Sequence, residues 1–214
     1  MPNTSAPAPT TGTANKYTYL ALGDSYTIGE SVPEADQWGM QLAALLREKG
    51  VPVSNPTTIA RTGWTTSELA DAIRAANPAA TYNLVSLLVG VNNQYRGQSV
   101  ETYRTEFKEL LQTATRLAKG NPAHVMVLSI PDWGVTPFAS GRDRQQIAQE
   151  IDAFNAVAKV EAEHAGIPFV DITPLTRTFG TDATYLASDG LHYSGKMHGE
   201  WALLALPVAQ HILP

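Results

Sequence analysis

Two hydrophobic periods alternate along this chain. The run "YTYLALG", residues 17–23, is apolar and aromatic and ends in glycine, which reads as a strand. "ADQWGMQLAALLREKG" then places Trp38, Leu42, Leu45 and Leu46 on one helical face, with Gly50 as its stop. "VPVSNPTTIA" is a weaker strand, interrupted by Pro52 and Pro56. Ser67 is expected to cap a helix whose apolar side includes Leu69 and Ile73. "YNLVSLLVG" is almost continuously apolar, the pattern of a strand buried on both faces. Tyr103, Phe107, Leu110, Ala114 and Leu117 recur at helical spacing before Gly120. "HVMVLSI" is the next strand. A helix over 142–166 follows, carrying Ile147, Ile151, Phe154 and Ala158 along one side, and "IPFVDI" is the last strand. From about Ser194 a final helix shows Met197, Trp201, Leu204 and Val208, with a kink expected at Pro207.

Five strands alternating with helices predict an α/β fold: a parallel sheet with right-handed crossovers and helices on both faces. No internal repeat is visible. Residues 1–16, "MPNTSAPAPTTGTANK", are rich in Pro, Thr, Ala and Ser and nearly uncharged, a linker composition that cannot bury a core. The expected organisation is a flexible segment over 1–16 and one domain over 17–214. The segment lacks the basic start and apolar centre of an intact signal peptide. A spacer left after removal of an export signal and a natural tail fit it equally, so the compartment stays open.

Composition mainly excludes. With 214 residues, 43% apolar and 16% charged, the chain has the make-up of a soluble globular domain. A net charge of −5 without any basic run argues against nucleic acid or an anionic membrane surface as a partner. No apolar stretch approaches the roughly 20 residues of a membrane span. The absence of cysteine excludes disulfides, thiolate catalysis and cysteine-ligated metal. Oligomeric state is not legible.

The chemistry lies in the turns. Open parallel sheets place ligands beyond the carboxyl ends of their strands. There the chain writes Gly23-Asp24-Ser25, Arg61-Thr62-Gly63-Trp64, Gly90-Val91-Asn92-Asn93 and Pro131-Asp132-Trp133-Gly134, and later Asp189-Gly190-Leu191-His192. A serine becomes a nucleophile at neutral pH only with a base beside it. It also needs donors aimed at the oxyanion formed on attack at an ester carbonyl. Ser25 is the candidate nucleophile and His192 the candidate base. Asp189, three positions before His192, is placed to hold the other ring nitrogen. The candidate oxyanion donors are the backbone N–H groups of Ser25 and Gly63 and the amide of Asn92. Trp64, Tyr95 and Trp133 follow the second, third and fourth strands and are candidates for pocket lining. Asp24 reads as holding its own turn. Asp132 has no partner at metal-ligand spacing, so no metal and no cofactor is expected.

Taken singly these are ordinary turn residues; four blocks in order at strand ends are specific. The chain resembles the GDSL, or SGNH, hydrolases. Gly23-Asp24-Ser25-Tyr26 matches the nucleophile block, Gly63 the backbone-donor block, Gly90-Val91-Asn92-Asn93 the asparagine block and Asp189-Gly190-Leu191-His192 the base block. The resemblance implies a three-layer α/β/α, flavodoxin-like sandwich with a five-stranded parallel sheet. It also implies ester hydrolysis through an acyl-enzyme on Ser25, with a small-molecule ester as substrate. Asn93 departs from the aspartate the family usually has there, which bears on local hydrogen bonding. Short loops after the strands point to short-chain or acetyl esters. A lysophospholipase, a lipase or an acyltransferase would use the same site, and a non-catalytic binding module would have no need of the Asp189–His192 pair.

Overall fold

Right-handed crossovers and the order of the strands decide where the site lies. A computed structural model describes residues 16–214; the expected flexible segment, Lys16 excepted, lies outside the described residues. The strands are β1 (Tyr19–Gly23), β2 (Thr57–Ala60), β3 (Leu84–Leu88), β4 (Val125–Leu128) and β5 (Phe169–Val170). All neighbours pair parallel, in the order β2-β1-β3-β4-β5. This is the flavodoxin-like order. The central β1 and β3 are buried along their whole length, as their unbroken apolar runs require, and Tyr19 OH meets Ser86 Oγ at 3.0 Å inside the core.

Among the described residues eight α-helices complete the layers: α1 (Ser25–Ile28), α2 (Trp38–Glu48), α3 (Thr66–Ala76), α4 (Val91–Tyr95), α5 (Val100–Leu117), α6 (Arg144–His164), α7 (Thr173–Phe179) and α8 (Gly195–Ile212). The chain leaves β1 toward β2, then runs the other way through β3, β4 and β5. With one handedness, α2 must cover one face while α3, α5 and α6 cover the other. Packing agrees: α2 lies against α8, and α5 against both α3 and α6. The direction of winding reverses between β1 and β3, and a crevice must open beyond their carboxyl ends.

Several local expectations change. The cap of α3 is Thr65, not Ser67: Thr65 Oγ1 accepts from the Glu68 N–H while Glu68 Oε2 accepts from the Thr65 N–H, a closed capping box. Leu204, expected on the buried side of the last helix, is exposed; the buried stripe runs through Met197, Trp201, Ala205 and Ala209. Pro207 sits inside α8 without ending it. The stretch after Ile172, which no apolar period marks, carries α7. Among the described residues no helix is long and apolar enough to cross a membrane.

Candidate active site

Ser25 follows β1 directly, but it does not stand in an exposed turn. It is the first residue of the one-turn helix α1 and is only 4% exposed. Asp24 caps that turn, its Oδ1 accepting from the Tyr26 N–H at 3.0 Å. The glycine before it is forced by close approach. A Cβ on Gly23 would stand 2.0 Å from Thr27 Oγ1 and 2.3 Å from the Leu88 carbonyl oxygen, so only glycine lets the turn fold back over β3. Asp24 is wholly buried, with Oδ2 unpartnered among the described residues. Burial raises its pKa to about 7, outweighing the hydrogen bond from the Tyr26 N–H that lowers it.

Asn92 arrives from the end of β3 through Gly90, whose φ of +137° suits glycine and whose Cβ would lie 2.8 Å from the Tyr103 ring. Asn92 Nδ2 donates to the Trp64 carbonyl at 2.9 Å. One amide hydrogen is thereby engaged and the side chain pinned, while the second remains free to act in the cavity that Asn92 lines. Asn93 is fully buried and serves structure. It accepts from the Thr66 N–H at 3.1 Å and donates to Thr66 Oγ1 at 2.6 Å and Gln98 Oε1 at 2.8 Å. An aspartate could make the first of these bonds but donate neither of the others.

His192 Nδ1 lies 2.7 Å from Asp189 Oδ2. The other carboxylate oxygen accepts from the backbone N–H groups of Leu191 and His192, each at 2.9 Å. Ser31, 158 residues away in sequence, donates its hydroxyl to Oδ2 at 2.8 Å from a left-handed backbone (φ +66°). Partial burial pushes the Asp189 pKa up. The hydrogen bonds from the His192 ring, Leu191, the His192 amide and Ser31 outweigh it and hold the carboxyl at about 2. An ionised carboxylate only accepts, so Nδ1 carries a proton, and in the neutral ring Nε2 is the nitrogen with the lone pair. Tyr26 buttresses the ring edge-on, with centroids 5.5 Å apart.

Ser25, Asn92 and His192 share one cavity of about 160 Å³. Its remaining walls are apolar: Tyr26, Val91, Tyr95, Trp133, Phe138 and Leu191. Ser25 and His192 are not hydrogen-bonded to one another. Of the three expected aromatics, Tyr95 and Trp133 line the cavity. Trp64 does not: its ring is half buried against the core, and it reaches the site only through its carbonyl. Gly63 lies off the lining, and its carbonyl accepts from the Arg96 guanidinium. Asp132 is engaged by the Gly134 N–H and the Arg177 guanidinium, both at 2.8 Å, and so is a structural carboxylate. Ser31, Gln94 and Phe138 carry no mark in the sequence, and Leu191 stands out there only as part of the base block. Gln94 accepts from Trp133 Nε1 at 2.8 Å and fixes that indole.

A family model described as GDSL-like Lipase/Acylhydrolase family matches residues 21–199. No curated protein matches the chain. Among solved structures, TesA superposes with a TM-score of 0.69 at 19% identity, covering 92% of this chain and 99% of its own. A lipolytic protein of the G-D-S-L family from Veillonella parvula gives 0.68 at 18% identity, covering 90% and 98%. The psychrotrophic esterase EstA from Pseudoalteromonas sp., in a form inhibited by monoethylphosphonate, gives 0.62 at 14% identity, covering 92% and 94%. At these identities the structures share the fold.

Proposed function

The chain belongs to the GDSL-like Lipase/Acylhydrolase family and is an ester hydrolase of the esterase/lipase type, and we propose that it cleaves short-chain carboxylic esters through an acyl-enzyme on Ser25. One observation carries this reading: Asp189 holds His192 through Nδ1, which leaves Nε2 as the basic nitrogen of the neutral ring in the cavity that Ser25 also lines. Nε2 takes the Ser25 proton as Oγ attacks the carbonyl carbon. The oxyanion is met by the free Asn92 amide hydrogen and the backbone N–H of Ser25, both from residues lining the cavity, and Gly63, off the lining, is the third donor assigned in this reading. His192 then returns the proton to the departing alcohol, and water repeats the sequence on the acyl-enzyme. The Ser25–His192 contact closes as substrate enters, since such bonds are commonly long beforehand. A cavity of about 160 Å³ is below the ~300–1,000 Å³ of most ligand pockets and suits a small acyl group. The residues from 17 to 214 form the one catalytic domain of this reading.

The test is Ser25→Ala against p-nitrophenyl butyrate, with circular dichroism as the folding control. Hydrolysis should fall by several orders of magnitude. An alkyl phosphonate, the reagent class that inhibits the Pseudoalteromonas esterase, should label the native chain at Ser25 by mass spectrometry. Activity surviving in Ser25→Ala would exclude the mechanism.

A further inference from the structure

The aromatic wall of the cavity is clamped from outside. Tyr95, Trp133 and Phe138 stand against one another, with ring centroids 5.4 Å apart for Tyr95–Trp133, 5.9 Å for Trp133–Phe138 and 6.4 Å for Tyr95–Phe138. Trp133 is buried, but Tyr95 is 46% and Phe138 41% exposed. Burial alone therefore holds two of the three rings weakly. Arg142 lies over all three. Its guanidinium is 5.3 Å from the Tyr95 centroid, 5.5 Å from Trp133 and 5.7 Å from Phe138, and Nη2 donates to Tyr95 OH at 3.3 Å. Arg142 makes no ion pair among the described residues. Its interactions are with the rings, the arrangement a planar, weakly hydrated cation favours.

Beyond the wall is a second cavity of about 410 Å³. Tyr95 and Trp133 border both cavities, and the far side is formed by Ile147 and Arg142 together with the polar side chains of Asp143, Gln146 and Glu150. The two rings are thus a partition. Trp133 is anchored by Gln94 and by burial, whereas Tyr95 depends on the clamp.

We propose that Arg142 sets the acyl-length limit of this enzyme by holding Tyr95 and Phe138 against Trp133, which keeps the small cavity closed off from the larger one. The proposal rests on the ester-hydrolase reading. A short acyl group fits within the wall. A longer one meets the rings, and with the clamp removed Tyr95 can turn toward solvent and let further methylenes lie over Trp133 and Ile147. Arg142 is a specificity-determining residue in this scheme; it touches no reacting atom.

The experiment compares kcat/KM for p-nitrophenyl butyrate and p-nitrophenyl octanoate in the full chain, in Arg142→Ala and in Arg142→Lys, which keeps the charge but loses the planar stack. The octanoate-to-butyrate ratio should rise about tenfold in Arg142→Ala, equivalent to burying about two further methylenes, with butyrate itself changed only a few-fold. Arg142→Lys should fall between. An unchanged ratio, or an equal fall on both esters, overturns the proposal. So does a selective loss on mono-p-nitrophenyl succinate at constant ratio, which would make Arg142 a reader of substrate carboxylate. Failure of the native chain to hydrolyse any of these esters, or hydrolysis persisting in Ser25→Ala, would instead remove the ester-hydrolase reading on which the proposal stands.

Discussion

Replacing Asp189 by asparagine tests the tautomer of His192 with almost no change of shape. In the native turn one carboxylate oxygen receives the backbone N–H groups of Leu191 and His192, and the other receives His192 Nδ1–H and the Ser31 hydroxyl. An asparagine can orient in two ways. With its amide NH₂ toward the backbone, two N–H donors would face another donor, at up to ~1–3 kcal/mol each and less here because the turn is partly solvated. With its oxygen toward the backbone those bonds survive, and the NH₂ faces Nδ1. The second orientation wins. Nδ1 must then accept, the proton moves to Nε2, and the ring can no longer take a proton from Ser25. A triad with the wrong tautomer loses ~10⁴-fold in kcat. We therefore expect a fall of ~10³–10⁴ in kcat on p-nitrophenyl butyrate, with KM within a few-fold of the native value. Exchanging charge-assisted bonds for neutral ones in an exposed turn costs about 1 kcal/mol, or about 2–4 °C in Tm for a chain of this size. Steady-state kinetics and a thermal melt read both quantities. A kcat within about tenfold of native, in a variant that melts as expected, would refute the assignment of Asp189 as the holder of the His192 proton.

Two further outcomes follow from the site. Asn92→Ala removes the amide hydrogen that faces the cavity, and kcat should drop ~10²–10³-fold with little change in KM; an effect confined to KM would make Asn92 a substrate-positioning group. Asp24→Asn concerns pH. The carboxyl's folded pKa of about 7 lies above its ordinary value of 3.8, so its favourable contribution is complete below about pH 4 and is lost as pH rises through 7. Asparagine keeps the cap and has no charge to bury, so Asp24→Asn should melt progressively higher relative to the native chain between pH 5 and pH 8; an equal difference at both pH values would count against a buried proton at Asp24.

The fold was legible because its determinants are local and periodic. Apolar runs marked β1, β3 and β4, and helical spacing marked α2, α5 and α6, since each element must present an apolar face to a common core whatever its neighbours are. The blocks around Ser25, Asn92 and Asp189–His192 were readable for a related reason. Ser25 and Asn92 follow β1 and β3 at the strand ends where this topology collects polar groups, and three-residue spacing places Asp189 against His192 within one turn. Residues whose roles depend on distant partners carried no such mark. Ser31 reaches Asp189 across 158 positions, Gln94 orients an indole that follows β4, and Arg142 lies over rings from two other segments. Trp64 and Trp133 each follow a strand by a short turn, yet one ring packs on the core and the other walls the cavity. The difference lies in strand order. β4 and β2 stand on opposite sides of the β1–β3 crevice, and that order comes from long-range parallel pairing, which no local period encodes.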